Sequence, residues 1–301
     1  MNTKTKSKRL MFLFCITLGV LVMVQQPTRV TAAPDAPGET GEAFQVSKSD
    51  LSHGQPVVAH NTTSNQYFVV WWSRDGNDPD LKLYGQLMND QGVPAGDAFL
   101  LSTAEGRVES PAVSYNATAD EYLVVWTLIV DSKVYLVGQR LAADGTFLDN
   151  PHTLSEDESL PGVNFQITDG TYTAYYPKCA YNQFRNEYLV VWYWNVPDGI
   201  GIYGQRLASD GLPMGNSGGT GAFPVMVRYP AQDYTQLYPA VVYNTRDDEY
   251  FVVAVRQFPN GDMGDIHGKR VDGDGDLLGA VDNPGKSQPG DSIVITNAEG
   301  A

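Results

Sequence analysis

The chain has 301 residues, with 42% apolar and 18% charged side chains, enough apolar content for a sizeable core. Its formal net charge of −15 excludes nucleic-acid binding, which needs a basic face, and its two cysteines exclude a disulfide scaffold or a zinc module built on CxxC pairs. An all-β barrel or propeller can occupy this length as one domain.

In chain order, residues 1–32 read as a signal peptide. Lys4, Lys6, Lys8 and Arg9 form a positive segment, Leu10 to Val24 an apolar run, and Val30-Thr31-Ala32 a small-residue cleavage site with the cut after Ala32. The apolar run is short for a membrane span, and nothing comparable occurs later in the chain, so no span is expected in the mature protein. Residues 33–43 read as a linker, and residues 44–301 as a repeat domain. Removing the basic leader makes the mature chain more acidic still, predicting a soluble, secreted or cell-surface protein.

Four copies of one unit dominate the repeat domain, near 56–102, 111–155, 177–227 and 239–296. Each opens with a proline strand ending in Asn: Pro56 to Asn61, Pro111 to Asn116, Pro177 to Asn182 and Pro239 to Asn244. A second strand starts at Tyr67, Tyr122, Tyr188 or Tyr250, and continuous apolar runs such as Tyr122-Leu123-Val124-Val125-Trp126 predict strands buried on both faces. The third carries Gly85-Gln86, Gly138-Gln139-Arg140, Gly204-Gln205-Arg206 or Gly268-Lys269-Arg270, followed by hairpin turns at Gln91-Gly92, Asp144-Gly145, Asp210-Gly211 and Asp274-Gly275. A fourth reads Phe99 to Ser102, Thr153 to Ser155, Phe223 to Val227 and Ile293 to Thr296. Four antiparallel strands per repeat of about 60 residues predict an all-β, β-propeller-like array of four-stranded blades, about four in number. Tandem β-sandwiches are the competing architecture.

The pattern PaVxYN…eYLVVW…iyGQRL..DG resembles repeats of secreted proteins from environmental bacteria, which are assigned as β-propeller-like. The resemblance spans 44–301 and implies the fold while being nearly silent on activity. Phe44 to Ser47 reads as a fourth-type strand ahead of the first copy. Thr296-Asn297-Ala298-Glu299-Gly300 echoes Thr103-Ala104-Glu105-Gly106, which leads into the next proline strand, so further repeats are expected past Ala301.

Candidate sites are weighed against the repeat. His60 and His267 occupy positions held by Tyr in other copies, and Cys179 aligns with Val58, Val113 and Val241, which assigns all three to packing. Asp272, Asp274 and Asp276 alternate as calcium ligands can, although Leu277 and Asn283 depart from the calcium-loop pattern and the run aligns with ordinary hairpins. No other cofactor is indicated. Ser73-Arg74-Asp75-Gly76 fails as a sialidase Asp-box, because its Gly comes early and no Trp follows. The variable loops therefore carry the functional expectation: Trp72, Tyr172, Tyr175, Tyr193, Trp194, Arg228 and Tyr229 as a ligand-binding face, beside the carboxylates Glu156, Asp157, Glu158 and Asp169. The repeat demands no ring at Trp194, so that ring is expected to be free for ligand. This points to a non-catalytic extracellular scaffold for a polysaccharide or a protein. The alternative is a carbohydrate-active hydrolase or lyase using loop carboxylates.

Overall fold

A computed structural model describes residues 43–47, 51–74, 76, 80–102, 106–149, 164–197, 199–216, 221–228, 234–279 and 293–296. The strand-bearing unit runs Val46–Ala301. It holds four antiparallel sheets in sequence, one per repeat, and the described residues contain no helix. Blade 1 is built from Ser52–Asn61, Gln66–Arg74, Lys82–Met88 and Phe99–Leu100, and blade 2 from Arg107–Asn116, Glu121–Val130, Lys133–Ala142 and Phe165–Gln166. Blade 3 uses Thr173–Asn182, Glu187–Val196, Gly199–Ala208 and Phe223–Arg228, and blade 4 uses Thr235–Asn244, Glu249–Gln257, Met263–Asp272 and Ile293–Val294. Blades 3 and 4 each add a two-residue strand, Pro213–Met214 and Leu277–Leu278, after the third-strand turn. This is the expected propeller-like array, with no tandem sandwich.

Two fourth-strand expectations are corrected. In blade 2 the strand is Phe165–Gln166, opposite Gly138 and Val137, and Thr153 to Ser155 lie outside the described residues. In blades 2 and 3 a fourth-strand ring lies over the third-strand glycine: a Cβ on Gly138 would stand 2.5 Å from the Phe165 ring, and one on Gly204 3.1 Å from the Phe223 ring. The hydroxyl three residues on then completes the edge, with Leu83, Leu136 and Ile266 amides donating to Ser102, Thr168 and Thr296. Phe44 to Ser47 form no strand, and blade 4 is completed by its own Ile293–Val294.

Alternation along the second strands decides which blade meets which. Phe68 and Val70 of blade 1 pack on Tyr122, Val124 and Trp126 of blade 2. Leu123 and Val125 pack on Tyr188, Val190 and Trp192 of blade 3, whose Leu189 and Val191 meet Tyr250 and Val252 of blade 4. The outward faces of blades 1 and 4 leave Val58, Tyr67, Val242 and Ile266 exposed.

The recurring letters of each repeat have physical jobs. The Asn closing each first strand accepts turn amides, as Asn116 does from Thr118 and Ala119. The left-handed residue of that turn is not this Asn but the Asn or Asp four positions later: Asn65, Asp120, Asn186 and Asp248. The same Asn donates across to the next blade, Asn61 to Asp120, Asn116 to Asn186 and Asn182 to Asp248, at 2.9–3.0 Å. The third-strand Gln clamps its hairpin, Gln205 donating to the Arg206 and Met214 carbonyls. The following Arg pairs with the Glu that starts the second strand: Arg140–Glu121, Arg206–Glu187 and Arg270–Glu249.

Asp248 links blades 3 and 4, accepting from Asn182, Arg185 and Tyr243. Burial opposes its ionisation, but these three donors outweigh that and hold its carboxyl below the usual range. A depressed carboxyl contributes stability that is present above its unfolded value, about 3.9, and lost as pH falls through the folded one. The unfolding midpoint is therefore expected to drop as pH falls below about 4, and Asp248→Asn should flatten that part of the profile in pH-resolved thermal melts.

Candidate functional site

The repeat proline builds the centre of the molecule. Immediately before it, Gln55, Ser110, Tyr176 and Tyr238 all take left-handed backbone angles, with φ between 49 and 58°. The pairing register slips at each of these points, making a bulge in every first strand. Proline suits a bulge because it has no N–H to leave unpaired in the ladder. Four non-glycine residues in this conformation store strain at one place, the pattern associated with functional sites.

These bulges surround an axial cavity of about 420 Å³, lined by Gln55, Pro56, Ser110, Tyr176, Lys178 and Tyr238 among others. The Gln55 side-chain oxygen accepts from the Ser110 amide at 2.7 Å, tying blade 1 to blade 2. The Tyr176 and Tyr238 rings lie 4.7 Å apart, tying blade 3 to blade 4. Burial, then the neighbouring Tyr238 hydroxyl, raises the Tyr176 hydroxyl above its ordinary value, so it stays protonated at neutral pH. Burial lowers the Lys178 ammonium.

A second cavity, about 440 Å³, lies on blade 3 and is lined by Tyr172, Trp194, Val196, Pro197, Tyr203, Pro224 and Val227. Thr173 pairs with Asn195, so Tyr172 and Trp194 come together where the first strand begins and the second nears its end. Their rings meet edge-on at 6.3 Å. The axial bulge at Tyr176 is four residues further along the same strand. Tyr175 pairs with Tyr193 and so stands on the other face of the sheet from Tyr172 and Trp194.

Of the expected ligand-binding residues, Tyr172 and Trp194 line this cleft, whereas Tyr175 lines neither cavity and sits 5.9 Å from Tyr176. Trp194 is not free of packing as expected. It meets Trp192 at 5.6 Å and Tyr203 at 5.1 Å, and its buried indole N–H has no partner among the described residues. Tyr193 points the other way into the blade 3–blade 4 core, where burial raises its hydroxyl. Trp72 lies over Gly54 and packs on the blade 1–blade 2 core. Arg228 is paired opposite Ile200, and Tyr229 lies outside the described residues. Neither Tyr193 nor Trp72 lines either cavity. The reason is alternation: each is one residue out of phase with the cleft-facing set.

The carboxylate expectations divide similarly. Asp272 accepts the Asp274 and Asp276 amides of its own turn, and Asp274 is paired with Arg185 at 2.6 Å. Among the described residues no group of three or more His, Cys, Asp or Glu could hold a metal. Asp169 caps its turn by accepting the Thr171 amide, and Glu156, Asp157 and Glu158 lie outside the described residues. His60 bonds Asn65 as Tyr115 bonds Asp120 in the next blade. Burial pushes the Cys179 thiol up to about 12, away from nucleophilic use.

Sequence reasoning passed over Lys178 and, of the residues ahead of the prolines, Gln55, Ser110 and Tyr238. The available signal was a departure from the repeat: Val57, Ala112 and Ala240 stand where blade 3 has Lys178.

Among the described residues no helix is long and apolar enough to cross a membrane. No family model and no curated protein matches the chain. Solved structures do share its fold. A thermostable family-43 glycoside hydrolase is 15% identical with a TM-score of 0.48, over 79% of this chain and 77% of that one. An endo-arabinase from Bacteroides thetaiotaomicron VPI-5482 is 14% identical with a TM-score of 0.48, over 80% of each chain. An exo-beta-1,3-galactanase from Phanerochaete chrysosporium is 12% identical with a TM-score of 0.43, over 71% of this chain and 47% of that one. These three are named as glycan-cleaving enzymes, which runs against the expectation of a non-catalytic scaffold. The chain is similar to them in fold, as a β-propeller.

Proposed function

We propose that this protein is an extracellular carbohydrate-active enzyme that cleaves glycosidic bonds, as a hydrolase or a lyase. The observation that carries the reading is the aromatic cleft on blade 3 where the Tyr172 and Trp194 rings meet. Sugar rings present flat C–H faces that stack on aromatic side chains, so the cleft suits a glycan chain. The basic and apolar leader at residues 1–32 supports an extracellular setting for such a substrate.

The experiment is a panel of plant and microbial polysaccharides incubated with the mature protein, read by new reducing ends. Turnover of any glycan supports the reading, and a panel without turnover overturns it. Tyr172→Ala gives a finer check. Its ring is 38% exposed, so the thermal midpoint should hold. Loss of a stacked ring contributing about 0.5–1.5 kcal/mol should raise KM several-fold while leaving kcat nearly unchanged.

A further inference from the structure

The residue after each repeat proline is apolar in three blades, as Val57, Ala112 and Ala240, and is Lys178 in blade 3. Blade packing therefore asks for no charge there, and Lys178 borders the axial cavity. Among the described residues no carboxylate lies within ion-pair distance of its ammonium. Glu109, which acts electrostatically on Tyr176, is already paired with Arg107 at 2.5 Å. A half-buried cation without a partner is costly unless something else supplies the negative charge.

The other groups of the cavity wall are donors as well. The Ser110 hydroxyl is buried and has no hydrogen-bond partner among the described residues, on a residue only 6% exposed. The Gln55 oxygen is occupied by the Ser110 amide, which leaves the Gln55 NH₂ to donate. The hydroxyls of Tyr176 and Tyr238, which also line the cavity, are further donors. One cation and several donors face a cavity whose wall supplies no carboxylate. Such a wall complements an anion.

We propose that the axial cavity is an anion subsite that receives the carboxylate of a uronic acid or the sulfate ester of a sulfated sugar, with Lys178 supplying the charge and Ser110 and Gln55 the hydrogen bonds. The inference rests on the carbohydrate reading and narrows it to acidic glycans. The chain's overall negative charge opposes a polyanion at a distance, but charges are screened beyond about 8 Å at physiological salt, so contacts in the cavity decide affinity.

The test uses calorimetric titration of the mature protein at physiological ionic strength with three oligosaccharide probes: an oligogalacturonate, a sulfated galactan fragment and a neutral galactan fragment. One anionic probe should bind at least about ten-fold more tightly than the neutral one, and Lys178→Met, which keeps the aliphatic stem, should abolish that preference. The tighter of the two anionic probes identifies carboxylate or sulfate as the group recognised. Because Lys178→Met removes an unpartnered charge, its melting midpoint should match or exceed that of the parent. Equal binding of neutral and anionic probes, or a preference unchanged by Lys178→Met, overturns the anion subsite and leaves the carbohydrate reading standing. Failure of the parent protein to bind any of the three, together with no turnover on the wider panel, removes both.

Discussion

Arg206→Ala is expected to lower the free energy of unfolding by about 3–5 kcal/mol in urea denaturation. Arg206 and Glu187 make a two-bond pair at 2.7 and 2.8 Å, with side chains 10% and 3% exposed. The same guanidinium donates to the Asp274 carbonyl at 2.9 Å and so reaches from blade 3 to blade 4. Deleting it strands a buried carboxylate and two carbonyls at once, and the loss reflects that stranding more than any net value of the pair. Blade 1 supplies the control, since Gln66 and Leu87 occupy the equivalent positions there. Glu187→Gln combined with Arg206→Leu copies that blade, leaves no orphaned charge, and should recover most of the lost stability. A single variant costing less than about 1 kcal/mol would place the pair with exposed salt bridges instead.

Trp194→Ala should change stability and glycan affinity together. The ring is half-buried, wedged between Trp192, Tyr203 and Tyr172, and belongs to the blade 2–blade 3 core. Full truncation of buried Trp costs about 3–5 kcal/mol, so a half-buried one should cost roughly 2 kcal/mol. The same change removes one wall of the cleft and should raise KM several-fold, as Tyr172→Ala does. Trp194→Phe retains most of the contact area and should keep the fold near parental stability while still weakening glycan binding. Loss of stability with unaltered KM in both variants would make Trp194 a core residue alone and move the glycan path away from blade 3.

Arg206 repeats a residue that blades 2 and 4 also carry, as Arg140 and Arg270, whereas Trp194 has no counterpart ring in blade 2. Local chemistry determines the repeat. Runs such as Tyr122 to Trp126, the Asn turn and the Gly-Gln-Arg third strand are short-range patterns, and each forms the strand or turn its residues favour. The blade order follows from the chain order, and the alternation that sends Leu123 to one neighbour and Val124 to the other is visible in the letters. The same period of two places Trp194 with Trp192 and opposite to Tyr193, a distinction the sequence carries but grouping the loop aromatics together conceals.

Tertiary structure alone decided the rest. Phe165–Gln166 carries no strand signal strong enough to be read from the letters, and its place beside Gly138 depends on the fit of the Phe165 ring there. Lys178 looks like one more solvent-facing residue beside Cys179 until four bulged first strands meet and enclose it with Ser110, Gln55, Tyr176 and Tyr238. Those residues are far apart in sequence, and no local preference encodes their meeting. Backbone pairing is set by neighbours a few residues away, whereas the cavity is set by the packing of whole blades around an axis.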